Sequence, residues 1–231
     1  MDFSVFDSYN LRARISVYII IITPAILTLY ALYEPIRSIS FSAVLLAILA
    51  AFANYLFAMQ RHIKKSRKYE NTAASFLHLS DSHLDQITKQ RYYSKLASLD
   101  ESFKTFNSPS ETDEFKATCA SAVSWLRNNT RDNKLVQEEN ILYGFYRNLC
   151  AFKPIGIIFT IIAFGVQILN TLPAASITDI FQSKTIIVLL LIDLLFLIFW
   201  IAGVNKKTLK AVAEKYAIAL LGALDSIKPG N

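Results

Sequence analysis

The stretch best equipped for chemistry is TRDNKLVQEENILYGFYRN, Thr130 to Asn148. On a helix, Glu139, Tyr143 and Arg147 fall four positions apart and share one stripe, and Asn140, Gly144 and Asn148 form the adjacent one. The result is a polar face with a glycine at its centre, while Ile141, Leu142, Phe145 and Leu149 supply apolar contact. A glycine inside a helix costs about 1 kcal/mol against alanine, so close approach of a backbone or a ligand is its expected motive. The plainer reading of the face is a Glu139–Arg147 network that staples helices together.

A second cluster, HLSDSHLDQITKQRYY, runs from His78 to Tyr93. His78, Asp81, His83 and Asp85 invite a metal reading, but their spacing fits no standard zinc or calcium pattern, and no metal or cofactor is expected. Asp81, Lys89 and Arg91 are instead expected to face the Glu139/Arg147 stripe, making a charged pocket for a small anionic ligand or a partner's tail. Hydrolase, P-loop, dinucleotide and metalloprotease signatures are missing. Asp81, Asp132 and Glu139 remain a set of acids without a shared geometry, so no catalytic residue is assigned.

The third candidate is a single acid. KTIIVLLLIDLLFLIFWIAGV, Lys184 to Val204, is apolar except at Asp193, which lies about 12 Å along a helix from Thr185 at about 1.5 Å per residue. An aspartate at that depth in a bilayer costs at least about 2.5–3.5 kcal/mol and should face protein or water. No lysine or arginine lies in an apolar segment to pair with it. Thr23 or Thr28, Gln167 and, nearer the cytoplasm, Asn54 are the hydrogen-bonding partners on offer. Two arrangements make physical sense: a protonated acid bonded within the bundle, or a ring of carboxylates lining a hydrated path in an oligomer. A plain polar link between helices is the structural alternative, at about 1 kcal/mol. Pro24 adds a kink or hinge to the same bundle.

These residues are carried by a chain that is 53% hydrophobic and only 18% charged, which is apolar for a water-soluble domain. Four segments approach bilayer length: Ile15–Tyr33, Phe41–Met59, Ile155–Asn170 and Thr185–Val204. Arg12 and Arg14, RHIKKSRK after the second segment, Lys153, and Lys206, Lys207 and Lys210 put the basic residues on one side, while the two short connections hold Arg37 and Lys184. Both termini and the Gln60–Lys153 insert are therefore expected in the cytoplasm. The first segment reads as a retained anchor rather than a cleaved signal. The net charge of +6 is explained at the membrane edges and calls for no nucleic acid. Cys119 and Cys150 have no partner spacing and read as reduced cytoplasmic thiols.

The expected fold is an all-α membrane protein: residues 1–59 with the first hairpin, a mainly helical insert 60–153, a second hairpin 154–204 and an amphipathic tail 205–231. Within the insert, the second span continues to about Glu70 and NTAASFLHLSD is irregular or extended. Asp85 caps a helix to about Ser98 with Ile87, Tyr92 and Leu96 inward. Ser108, Pro109 and Glu111 read as a capping box opening a helix that ends near Asn129, with Phe115, Cys119, Val123 and Leu126 on one face. A further helix runs from Lys134 towards Phe152 and breaks where Lys153 precedes Pro154. The tail sets Val212, Tyr216, Leu220, Leu224 and Ile227 on one face, for packing on the insert. No internal repeat suggests an inverted-repeat transporter.

The blocks LDQITKQRYYSKL, AVSWLRNNTRD and EENILYGFYRNLCAFKPIGI, with FDSYNLRAR at the amino end and EKYAIALLGALD in the tail, resemble an uncharacterised family of bacterial four-span inner-membrane proteins. The family's last block reads E-N-x-x-Y-G-F-R-R-N, and Tyr146 stands here at the first of its paired arginines, which weakens a two-arginine anion clamp. The resemblance brings no activity with it. It implies a bacterial inner membrane and singles out Arg131, Asp132, Glu139, Asn140, Tyr143, Gly144, Arg147 and Asn148.

Three functions fit, in this order. The first is an oligomeric effector or channel whose insert senses a ligand or partner and alters membrane permeability, in defence or stress response by analogy. The second is a membrane-anchored scaffold for a soluble partner. The third is a tethered enzyme using the polar insert.

Overall fold

The computed structural model describes residues 8–33, 69, 71–171 and 184–227. The described residues are all-helical, with 86% helix and no strand. Ser8–Asn10 opens a helix that passes through a π turn, Leu11–Ile15, into α1 (Ser16–Leu32). Then come α2 (Thr72–Phe76), α3 (Gln86–Leu99), a 3-10 segment Glu101–Asn107, α4 (Asp113–Asn129) and the long α5 (Lys134–Thr171). The chain continues with α6 (Lys184–Ile198), a π turn Phe199–Gly203, α7 (Lys206–Gly222) and a 3-10 end, Ala223–Ser226. It divides into two units, residues 1–65 with 144–206 and residues 66–143 with 207–231.

Among the described residues three helices are long and apolar enough to cross a membrane, Leu11–Leu32, Lys134–Asn170 and Lys184–Gly203. The expected second span, Phe41–Met59, lies outside the described residues. The core joins Val17, Tyr18, Ile21 and Ile22 of α1 to Leu149 and Phe152 of α5 and to Trp200 and Val204. Tyr18 meets Phe152 edge-on at 5.6 Å. A Cβ on Gly156 would lie inside the indole of Trp200, so glycine is what lets the indole reach the α5 backbone. Ile158, Ile161, Ile162, Leu191, Leu194 and Leu195 point outward and exposed, a surface suited to hydrocarbon rather than water.

One expectation fails here: α5 does not break at Lys153 but runs straight through Pro154. Breaking it would free backbone polar groups beside an apolar segment, and Phe152 and Gly156 pack into one core on either side of the proline. Lys153 has another task. Its ammonium donates to the carbonyls of Ile201 (3.0 Å) and Val204 (2.8 Å), a cation on the carbonyl end of the apolar helix.

The second unit is built on aromatic rings. Tyr93 stacks on Phe106 at 5.3 Å, Phe115 meets both edge-on, and Phe103 meets Trp125 at 6.1 Å. Phe115, Cys119, Val123 and Leu126 are all buried, as their spacing predicts. The inner face of α3 is Lys89, Tyr92, Tyr93 and Leu96; Ile87 is 81% exposed, correcting its inward assignment. A lysine whose stem lies along the core does what an apolar residue was expected to do. Asp85 caps α3 as expected, accepting from the Thr88 amide at 2.8 Å.

The capping box at Ser108 does not form. Thr112 caps α4, accepting from the Phe115 amide at 3.2 Å, while Glu111 accepts from the Leu79 amide (3.0 Å) and the Ser80 hydroxyl (3.1 Å). A long-range loop contact takes the carboxylate that a local motif would have used. NTAASFLHLSD is likewise not extended, for Thr72–Phe76 forms one short helix with Ala73, Ala74 and Phe76 buried. In the tail, Val212, Tyr216, Leu220 and Leu224 are buried within this unit.

Candidate functional site

Three apolar helices each contribute one polar side chain to a single point. The Gln167 amide nitrogen on α5 donates to Thr28 Oγ1 of α1 at 2.6 Å and to Asp193 Oδ2 of α6 at 2.8 Å. The Thr28 hydroxyl passes the chain on, donating to the Pro24 carbonyl at 2.9 Å. Thr28 is 2% exposed, Gln167 0% and Asp193 1%, so the network is sealed from solvent. Gln167 Oε1 is buried and has no hydrogen-bond partner among the described residues. In a low-dielectric bundle an orphaned polar atom and an acid with so few donors are both costly.

Of the partners offered to Asp193 by the sequence, Thr28 and Gln167 are brought together. Thr23 turns away and donates to the Ile19 carbonyl at 2.7 Å. Asn54 lies outside the described residues. Asp193 is buried and faces Gln167 of its own chain.

The polar stripes of Thr130–Asn148 divide at the boundary between the units. Tyr143 stacks on Tyr216 of the tail at 5.7 Å, almost parallel. Glu139 has one buried, unpartnered carboxylate oxygen, Oε2, and Asn140 and Arg147 are half-buried. Gly144 and Asn148 of the second stripe dock the amino-terminal helix. A Cβ on Gly144 would lie 2.6 Å from the Tyr9 hydroxyl and 3.2 Å from the Ala13 methyl. Buried Asn148 donates to the Ala13 carbonyl at 2.6 Å, inside the Leu11–Ile15 π turn, where i→i+5 bonding shifts the backbone hydrogen-bond register. Close approach is thus the reason for this glycine. Arg131 donates to Asn128 at 3.0 Å on an exposed turn, and Asp132 is exposed.

Asp81, Lys89 and Arg91 are engaged elsewhere than with Glu139 or Arg147. Buried Lys89 donates to the carbonyls of His78 and Asp81. Arg91 pairs with Asp225 at 3.0 Å on the surface, and the Asp81 carboxylate meets His83 at 3.0 Å. The loop after α2 is held from further sides: Tyr93 and Cys119 both donate to the Leu77 carbonyl, and His83 stacks on Phe76 at 4.3 Å. Burial pushes the Tyr93 phenol and the Cys119 thiol each up to about 12, so both stay neutral donors at physiological pH.

Sequence reasoning missed the lysine cap at Lys153 and the seat of Trp200 on Gly156. Gly144 and Gly156 were the available signals, since small residues on one helix mark where another can come close. No family model, curated protein or solved structure matches the chain.

Proposed function

We propose that the chain is a multi-pass membrane effector of the permeation type, held closed by the Thr28–Gln167–Asp193 network. The observation that carries this reading is a buried acid joined by one amide to two other apolar helices. An ionisable group is expensive in a membrane bundle, and plain helix adhesion needs no carboxylate. In the full arrangement four spans form two hairpins, both termini and the helical insert lie in the cytoplasm, and several copies assemble in a bacterial inner membrane. The insert and tail receive a small ligand or a partner protein, and their response loosens the bundle, as a defence or stress device would require. A scaffold that only anchors a partner is the second reading, favoured by the complete burial of Asp193, which suits static adhesion as well.

Asp193→Asn separates them, because it keeps the shape and the hydrogen bonding but cannot ionise. Bacteria expressing the wild type are expected to depolarise as the medium is raised above neutral pH, read with a voltage-sensitive dye, while cells expressing Asp193→Asn at matched levels hold their potential. Equal readings from the two strains, high or low, would sink the permeation reading in favour of the scaffold.

A further inference from the structure

We propose that Thr28, Gln167 and Asp193 form a proton-binding site in which the bound proton closes an acid–amide pair and its loss opens the bundle. The inference rests on the reading of this network as a closure, and adds what occupies it.

The count of donors and acceptors carries it. Gln167 supplies two N–H donors, one to Asp193 Oδ2 and one to Thr28 Oγ1, and the Thr28 hydroxyl supplies a third, to the Pro24 carbonyl. Against these three stand five acceptors, Thr28 Oγ1, the Pro24 carbonyl, Gln167 Oε1 and both Asp193 oxygens, and Gln167 Oε1 has none of these donors. A primary amide and a carboxylic acid are complementary: the amide N–H donates to one acid oxygen, and the acid O–H donates to the amide oxygen. The first of these bonds exists at 2.8 Å. A proton on the other oxygen of Asp193 supplies the fourth donor for the atom that lacks one, through the soft terminal torsions of both side chains. It also removes the buried negative charge. One added proton therefore satisfies the orphan acceptor and neutralises the acid together.

Among the described residues no other group competes for that role. On the packed elements, Ile15–Tyr33 of α1 and its ends, Pro154–Thr171 of α5 and Thr185–Val204 hold no lysine, arginine, histidine or second acid. The titratable groups there are tyrosines: Tyr18 in the core with Trp200, and Tyr30 and Tyr33, which are 53% and 49% exposed. In the opening step the Asp193 O–H bond breaks and the proton passes to water. The carboxylate that remains repels the Gln167 oxygen, and the α5–α6 contact loses its second bond. Asparagine at position 193 reproduces the pair with its own N–H and carbonyl, so Asp193→Asn mimics the protonated, closed state at any pH.

The test uses the full chain reconstituted in liposomes, with infrared difference spectra taken across a pH series and ion leak measured on the same samples. A carboxylic-acid C=O band is expected at neutral pH, missing from Asp193→Asn, moved towards a free acid in Gln167→Leu, and replaced by carboxylate bands as pH rises. Carboxylate bands alone at neutral pH would overturn the proposal, as would bands that respond to sodium or potassium ions instead of pH, which would make the occupant a metal cation. The acid band without leak at any pH leaves the proton site standing and sinks the permeation reading. Leak that Asp193→Asn abolishes, with a carboxylate-only spectrum, does the reverse.

Discussion

The two units solve the same problem, satisfying polar groups, in opposite ways. Among the apolar helices, three side chains meet at one amide and a single lysine covers two helix-end carbonyls. In the insert and tail, the polar bonds are spread along a loop: Lys89, Tyr93, Cys119 and Glu111 between them hold backbone groups of residues 77–81. Where water is excluded, each polar group must find an internal partner, so few are present and each matters. Where water is near, the chain uses polar side chains to fix irregular backbone that no helix could satisfy.

If that contrast is right, the largest loss in the apolar unit should come from packing. Trp200→Ala removes the ring that joins α1, α5 and the turn after α6, and should cost about 3–5 kcal/mol, read as thermal unfolding in detergent. Stability within 1 kcal/mol of wild type, on that scale, would show that the Trp200 core is not what holds the helices.

The insert should instead fail first at its loop. Lys89→Met keeps the stem but strips the donor from the His78 and Asp81 carbonyls, and should cost about 2 kcal/mol by chemical denaturation. Arg91→Ala, which breaks an exposed pair with Asp225, should cost less than about 1 kcal/mol. A reversal of that order would erase the distinction between a buried donor and a surface ion pair.

Close approach gives a smaller effect. Gly144→Ala brings a methyl against Tyr9 and Ala13 and should cost about 1–2 kcal/mol, with faster proteolysis at the amino end.

Acid gives the last sign test. Hydrogen bonds from Thr88 to Asp85, and from Ser102 to Asp100, hold both carboxyls below their usual range. Burial works against Glu111, yet bonds from Ser80 and Leu79 lower it as well. Depressed folded values mean stability that is present at neutral pH and lost as pH falls through them, below about 4. Helix signal from the insert should therefore decline in that window, and an insert equally stable at neutral and strongly acid pH would contradict the capping roles.

Much of this was legible in the chain. Local spacing gave the α3 cap at Asp85, the buried face of α4, and Thr28 and Gln167 as partners for Asp193, because each depends on helical period and depth. The failures share one cause, which is distance in sequence. Glu111 left its local box for Leu79, Lys89 replaced Ile87 on the inner face, and α5 kept its helix through Pro154 under tertiary packing. Polar stripes on α5 announced a surface worth attention without saying whether a ligand or the chain's own amino end would fill it. For Gly144 and Asn148, the amino end does.

The most direct test of the central claim is the membrane potential, in medium raised above neutral pH, of bacteria carrying the wild type or Asp193→Asn at equal expression. Depolarisation by the wild type alone is the result the account predicts. Indistinguishable potentials in the two strains would contradict it.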